Sequence, residues 1–232
     1  MNTLIPFPIK LMLFDMDGVV MNSRPGVEFA WRKGAEEYGQ TISDEDMVAY
    51  VHGQPGRLTM KTLFSHMPEK EAADMFRRIT ELEDEYDFLA MPGIKEFLAQ
   101  LCERGIKVGL VTSAGPARVN RNFTRNDLHQ YFQHIVSVED VTNGKPHPEP
   151  FLTGMARFRL PKEHTVAFED SVSGMKAAVG SGASCIGIGA DGDKLLKHGA
   201  LHTCPNFTVL RVKDDTVVDE GADTVLLRLS PQ

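Results

Sequence analysis

Short apolar runs alternate with stripes of helical period along most of the chain. Ile9 to Phe14 is a mostly apolar run that stops at Asp15-Met16-Asp17-Gly18, the pattern of a buried strand meeting a turn. From Asn22 to about Leu89 the period changes. Val27, Trp31, Ala35 and Tyr38 recur at helical spacing, and Trp31 reads as core of this helical stretch. Ser43 followed by Asp46 resembles a capping box opening a short helix with Met47, Val48 and Val51. Ala72, Met75, Phe76, Ile79, Leu82 and Tyr86 form one stripe of a longer helix, and Met91-Pro92-Gly93 then punctuates the chain.

Beyond Gly93 helix and strand alternate. Ile94, Phe97, Leu98 and Leu101 share a helix face that Gly105 closes. Strands are predicted over 106–111, 134–138, 165–168 and 184–188, with helices over 116–126, 148–157 and 171–179 between them. From Asn206 on, two or three short extended segments have no assignable place. Such alternation predicts an α/β fold: a Rossmann-like, doubly wound parallel sheet built from residues 1–21 and 90–232, with an α-helical domain inserted at 22–89.

Composition narrows the function classes. The 232 residues carry a net charge of -7 and no basic stripe, which argues against a nucleic-acid partner. Arg118, Arg121 and Arg125 lie along one predicted helix and read as a solvated face. The apolar stretch from Leu4 to Phe14 is too short to span a membrane and runs into Asp15 without a small-residue cleavage site. Cys102, Cys185 and Cys204 are odd in number, and their spacing suits neither a zinc site nor a disulfide framework. The expectation is a cytoplasmic monomer.

The chemistry gathers at predicted strand ends, where open α/β sheets bind ligands. One strand ends in Asp15 and Asp17, another in Thr112 and Ser113; a third leads to Gly144-Lys145-Pro146, and a fourth ends in Glu169 and Asp170. A carboxylate can attack phosphorus and hold the phosphoryl group as an acyl phosphate. Attack by one anion on another needs cations: Mg²⁺ held by Asp15 and Asp170, and Lys145 on the other side. Thr112 can donate to the phosphate. Asp17, beside an anionic nucleophile, suits an acid that later acts as a base. Gly18 lets the chain turn past the pair.

These four motifs, with Gly174 after the last, resemble those of the haloacid dehalogenase-like hydrolase superfamily from about Ile9 to Ile188. The resemblance implies that Asp15 is nucleophile and metal ligand, and that Asp17 is acid/base and a ligand through its backbone carbonyl. It further implies that Thr112 and Ser113 bind phosphate, Lys145 clamps charge, and Asp170 ligates Mg²⁺, with Glu169 a direct ligand or one shell out. The helical insertion then resembles a small cap that selects substrate, and Val51-His52-Gly53-Gln54-Pro55-Gly56-Arg57 its specificity loop. For His52, Gly53 and Arg57, substrate contact and a solvated loop are both open readings.

The subgroup resembled contains sugar-phosphate phosphatases and β-phosphoglucomutases. The mutases carry a His twelve residues after the nucleophile, where this chain has Val27. The expected function is therefore a Mg²⁺-dependent phosphatase of a small sugar or polyol phosphate, with a mutase as the alternative. Carbon–halogen hydrolysis needs no metal, which the intact Asp17 and Asp170 argue against. A binding protein on a retained fold would have shed part of so costly a charge cluster.

Overall fold

The computed structural model describes residues 4–52 and 56–230. In chain order these form β1 (Leu11–Phe14), β2 (Met21–Asn22), α1 (Arg24–Glu37), α2 (Asp44–Asp46), α3 (Gly56–Leu63), α4 (Glu69–Glu85), β3 (Leu89–Ala90) and α5 (Ile94–Glu103). There follow β4 (Lys107–Val111), α6 (Pro116–Arg125), β5 (His134–Val136), α7 (Glu149–Phe158), β6 (Thr165–Glu169), α8 (Val172–Gly180), β7 (Ser184–Ile188), α9 (Gly192–Lys197) and β8 (His202–Cys204). Three more strands close the chain: β9 (Leu210–Lys213), β10 (Thr216–Asp219) and β11 (Thr224–Arg228). The chain divides into two compact units, Met1–Asn22 with Leu89–Gln232, and Ser23–Phe88.

The first unit holds a six-stranded sheet in the order β5-β4-β1-β6-β7-β8, with every pair parallel. Counted within the sheet alone this is 3-2-1-4-5-6, the doubly wound order, and the order reverses between β1 and β6. Both faces of β1 are covered. Leu11 and Leu13 enter a cluster with Phe151 and Met155 of α7 and Met175 of α8. Phe14, on the opposite face, stacks on Phe168 at 4.7 Å between ring centroids and meets Phe97 and Phe132 edge-on. Two covered faces explain why these strands are continuous apolar runs without alternation.

The segments beyond Asn206 find their place here. β9, β10 and β11 form an antiparallel meander, and β8, just before them, adds to the edge of the parallel sheet. Residues 4–9 run along β11: Ile5 N–H donates to Leu226 O at 2.8 Å, Ile9 N–H to Arg228 O at 2.7 Å, and Ser230 N–H returns to Ile9 O at 2.8 Å. The predicted strand 134–138 stops at Val136, because the Ser137 N–H and hydroxyl both donate to Asp140 Oδ2 at 2.7 Å and begin a tight turn.

The second unit is helical, with Trp31, Ala35, Met47, Val51, Met75 and Ile79 in its core. The Trp31 indole donates to Glu83 at 3.1 Å. Ser43 does cap Asp46, accepting its N–H at 3.0 Å, but α2 passes at once into a π-helical turn over Met47–Val51. That wider turn buries Met47 and Val51 together and leaves Val48 59% exposed. Among the described residues no helix is long and apolar enough to cross a membrane.

Candidate active site

Register sets the site. Phe14 pairs with Leu110 on one side and Phe168 on the other, so Asp15 emerges between the ends of β4 and β6. Its N–H donates to Phe168 O at 3.0 Å. That is the crevice where the strand order reverses. Lys145 reaches in from the loop ahead of α7. Its Nζ donates to Asp15 Oδ1 at 2.6 Å, to Glu169 Oε1 at 2.6 Å and to the Val111 carbonyl at 3.0 Å. Those three bonds use every proton of the ammonium. Burial works against the Lys145 charge, but the two carboxylates outweigh it and raise its pKa.

Glu169 is fully buried and its other oxygen is equally engaged. Oε2 accepts from the Asp170 and Ser171 N–H groups at 3.0 and 3.1 Å and from the Ser171 hydroxyl at 3.1 Å. Ser171 in turn caps α8, its hydroxyl accepting Gly174 N–H at 3.0 Å. The carboxylate lies so close over Gly174 that a Cβ there would sit 1.7 Å from Glu169 Oε1. Gly174→Ala must therefore push Glu169 off Lys145. The expected cost is about 1–3 kcal/mol in chemical denaturation, the range of over-packed cores, and about a tenfold loss of turnover. Wild-type stability and rate in that variant would show the glycine to be dispensable.

Asp15, Glu169 and Asp170 bring carboxylate oxygens within 4.8 Å of one another. With one ammonium among them, Asp15 and Asp170 resist ionisation. Asp15 is pushed up to about 7, chiefly by burial, with Glu169 and Asp17 adding to it and Lys145 opposing. Asp170 is raised well above the usual carboxylate range, by desolvation first and then by Glu169, Asp15 and Asp17. A cluster of hard oxygen donors short of positive charge fits Mg²⁺. Gly18, at φ +77°, is required twice over: the turn needs a left-handed residue, and a Cβ there would lie 1.9 Å from Asp170 Oδ2.

Thr112 is buried at the end of β4, its hydroxyl accepting Ala114 N–H at 3.0 Å, whereas Ser113 is exposed. Asp17 is partly exposed, and its Oδ1 accepts from Arg118 Nη2 at 2.8 Å. Arg118 is thus not the solvated residue that its helical spacing suggests. It sits in the first turn of α6, where side chains point back toward the helix N-terminus and so toward the strand ends. An arginine just inside a helix that follows a polar strand end is the signal that could have revealed it.

The loop residues are in the helical unit. His52 is largely buried, with Nε2 2.8 Å from Glu28 Oε1, and Arg57 is exposed at the start of α3. Gly53 lies outside the described residues. Val27 packs, half-buried, against the helical core.

The family described as haloacid dehalogenase-like hydrolase matches residues 12–188. The chain belongs to that family. This hydrolase is 33% identical to the phosphorylated carbohydrates phosphatase of Thermotoga maritima, over 88% of its own length and 98% of the relative's. It is 27% identical to hexitol phosphatase A of Escherichia coli, over 90% of its length and 98% of the relative's. A crystal structure from Thermotoga maritima, provisionally described as a β-phosphoglucomutase, superposes with a TM-score of 0.70 at 31% identity, covering 84% of this chain and 94% of that one. The hydrolase is an enzyme of this family with phosphatases among its relatives.

Proposed function

We propose that the hydrolase is a Mg²⁺-dependent phosphatase of a small sugar or polyol phosphate, acting through a phospho-aspartate on Asp15. The observation that carries this reading is the Lys145 ammonium, whose bonds to Asp15 and Glu169 fix one carboxylate at the switch point with its attacking edge defined. The sugar and polyol phosphatases among its relatives support the substrate class.

Asp15 and Asp170 would hold Mg²⁺ through carboxylate oxygens and Asp17 through its backbone carbonyl. Bound there, the ion would supply positive charge, so that an anionic phosphate can approach the Asp15 carboxylate. Glu169 acts one shell out, because its oxygens already serve Lys145 and the loop N–H groups. A carboxylate oxygen of Asp15 attacks phosphorus, the bond to the substrate oxygen breaks, and Asp17 gives its proton to the departing alkoxide. Thr112 donates to a phosphoryl oxygen, with Ser113 beside it. Water then attacks the same phosphorus. Asp17 takes its proton, phosphate leaves, and the Asp15 carboxylate is restored. Arg118 holds Asp17 in place.

The helical unit carries the selectivity residues in this reading, with Arg57 exposed at the start of α3 and His52 oriented by Glu28. Val27 is packed and apolar, so it supplies no acid or base for a mutase cycle, and that favours hydrolysis. Free cysteines at 102, 185 and 204 agree with a reducing cytoplasm.

The test is phosphate release with Mg²⁺ over a panel of hexose, pentose and polyol phosphates and β-glucose 1-phosphate. Release from one or a few of them, abolished by chelator, is expected. Conversion of β-glucose 1-phosphate to glucose 6-phosphate without free phosphate would replace the phosphatase with the mutase.

A further inference from the structure

A second group of metal-ligating side chains lies within the α/β unit, on β8 and β10 and outside the residues assigned above. His202 and Cys204 are two apart on β8, so their side chains leave the same face of the strand. Asp219 ends β10 of the meander. His202 Nε2 is 2.7 Å from Asp219 Oδ2, Cys204 Sγ is 3.4 Å from the same oxygen, and the three donor atoms all lie within 4.8 Å of one another. Cys204 and Asp219 are buried, and the imidazole is the most exposed member.

We propose that His202, Cys204 and Asp219 form a structural site for one divalent ion of the zinc class. Imidazole, thiolate and carboxylate together are a donor set for Zn²⁺ or Co²⁺, whereas Mg²⁺ takes oxygen alone. Tetrahedral coordination holds such ligand atoms about 3.5 Å apart. Cys204 and Asp219 already stand at 3.4 Å, so loading requires mainly that His202 and Asp219 part from 2.7 Å by about 0.8 Å. The carboxylate is already aimed. Its Oδ1 accepts Gly221 and Ala222 N–H at 2.8 and 3.1 Å, which turns Oδ2 toward the cluster as outer-shell bonds do at metal sites.

Charge bookkeeping favours the ion. On loading, the Cys204 proton leaves to solvent, and the imidazole coordinates through Nε2 with its remaining proton on Nδ1. A divalent cation, a thiolate and a carboxylate then sum to zero. Three protein ligands leave the fourth position to water. The ion ties the edge of the parallel sheet to the meander.

A nucleophilic use of Cys204 fits less well. The imidazole and the thiol address the same carboxylate oxygen, so no base stands between Asp219 and sulfur, and burial first and then Asp219 push the thiol pKa up.

The full chain, with Mg²⁺ in excess to occupy the phosphoryl site, is titrated with Co²⁺ while the near-ultraviolet thiolate-to-cobalt absorption is followed. One equivalent is expected to bind, with Zn²⁺ displacing it. His202→Ala weakens it about a hundredfold or more. Cys204→Ser removes the band, and because that change touches a buried residue, His202→Ala at the exposed ligand is the deciding variant. Asp15→Asn keeps the band. Zn²⁺ at a hundredfold excess over Kd raises the wild-type Tm by about 5 °C and leaves that of His202→Ala unchanged. Absence of the band from wild type, equal affinity in His202→Ala, or loss of the band in Asp15→Asn would each overturn the site.

Discussion

Asp15→Asn is expected to lower phosphate release by about 10⁴-fold or more, the scale seen when a covalent nucleophile is removed, while the chain stays folded. The amide keeps the shape of the carboxylate and can still meet Lys145, but it cannot form an acyl phosphate. The stability side has a definite sign. Burial and neighbouring carboxylates raise the Asp15 pKa to about 7, above the ordinary value of an unfolded chain. Between those two values the native state binds more protons than the unfolded state, so this group's contribution to stability falls as pH rises through that window. The amide has no such loss. Without Mg²⁺ at pH 8 the variant should therefore melt no lower than wild type. Added Mg²⁺ should raise the wild-type Tm more, because it relieves a charge the variant lacks. Phosphate release at a wild-type rate would remove Asp15 from the nucleophile role.

Lys145→Met is expected to have the largest effect on stability, about 3–5 kcal/mol, together with loss of activity. The methionine fills a similar volume but withdraws the one ammonium bonded to both Asp15 and the fully buried Glu169. Two buried carboxylates then lose their countercharge, and the folded pKa of Asp15 climbs further above its unfolded one. By the same linkage, the deficit against wild type should be greatest near pH 8 and shrink toward pH 5.5, where Asp15 takes up a proton instead. Urea denaturation of both proteins at the two pH values measures it. An equal deficit at both would point to lost packing, since packing does not titrate.

Much of the site could be read from the sequence because a parallel sheet buried on both faces leaves its signature in apolar runs, and each run here stops at a polar cluster. Asp15 and Thr112 follow β1 and β4 and Glu169 ends β6, and adjacency of those strands brings them together with Lys145 and Asp170. What pattern could not supply was direction. Arg118 has the spacing of a solvated helix face, yet the backward tilt of a first-turn side chain carries it to Asp17. For His52 the pattern left substrate contact and a solvated loop both open, because its partner Glu28 is distant in sequence. The π-helical turn at Met47–Val51 has the same apolar letters as an α-helix, and what distinguishes it is the backbone bond from His52 N–H to Met47 O, five residues apart, which a side-chain pattern does not encode. The meander was opaque because strands of four or five residues give too few alternations to fix a register.

The backbone bonds between residues 4–9 and 225–230 bear on how the chain acquires its shape. Ile5 and Leu226 are among the most widely separated residues to touch, so their contact closes a loop of nearly the whole sequence and belongs among the slowest to form. During synthesis the segment leading into β1 cannot be zippered down until β11 has left the ribosome. A nascent hydrolase therefore carries Asp15 on a strand whose upstream backbone is still unpaired.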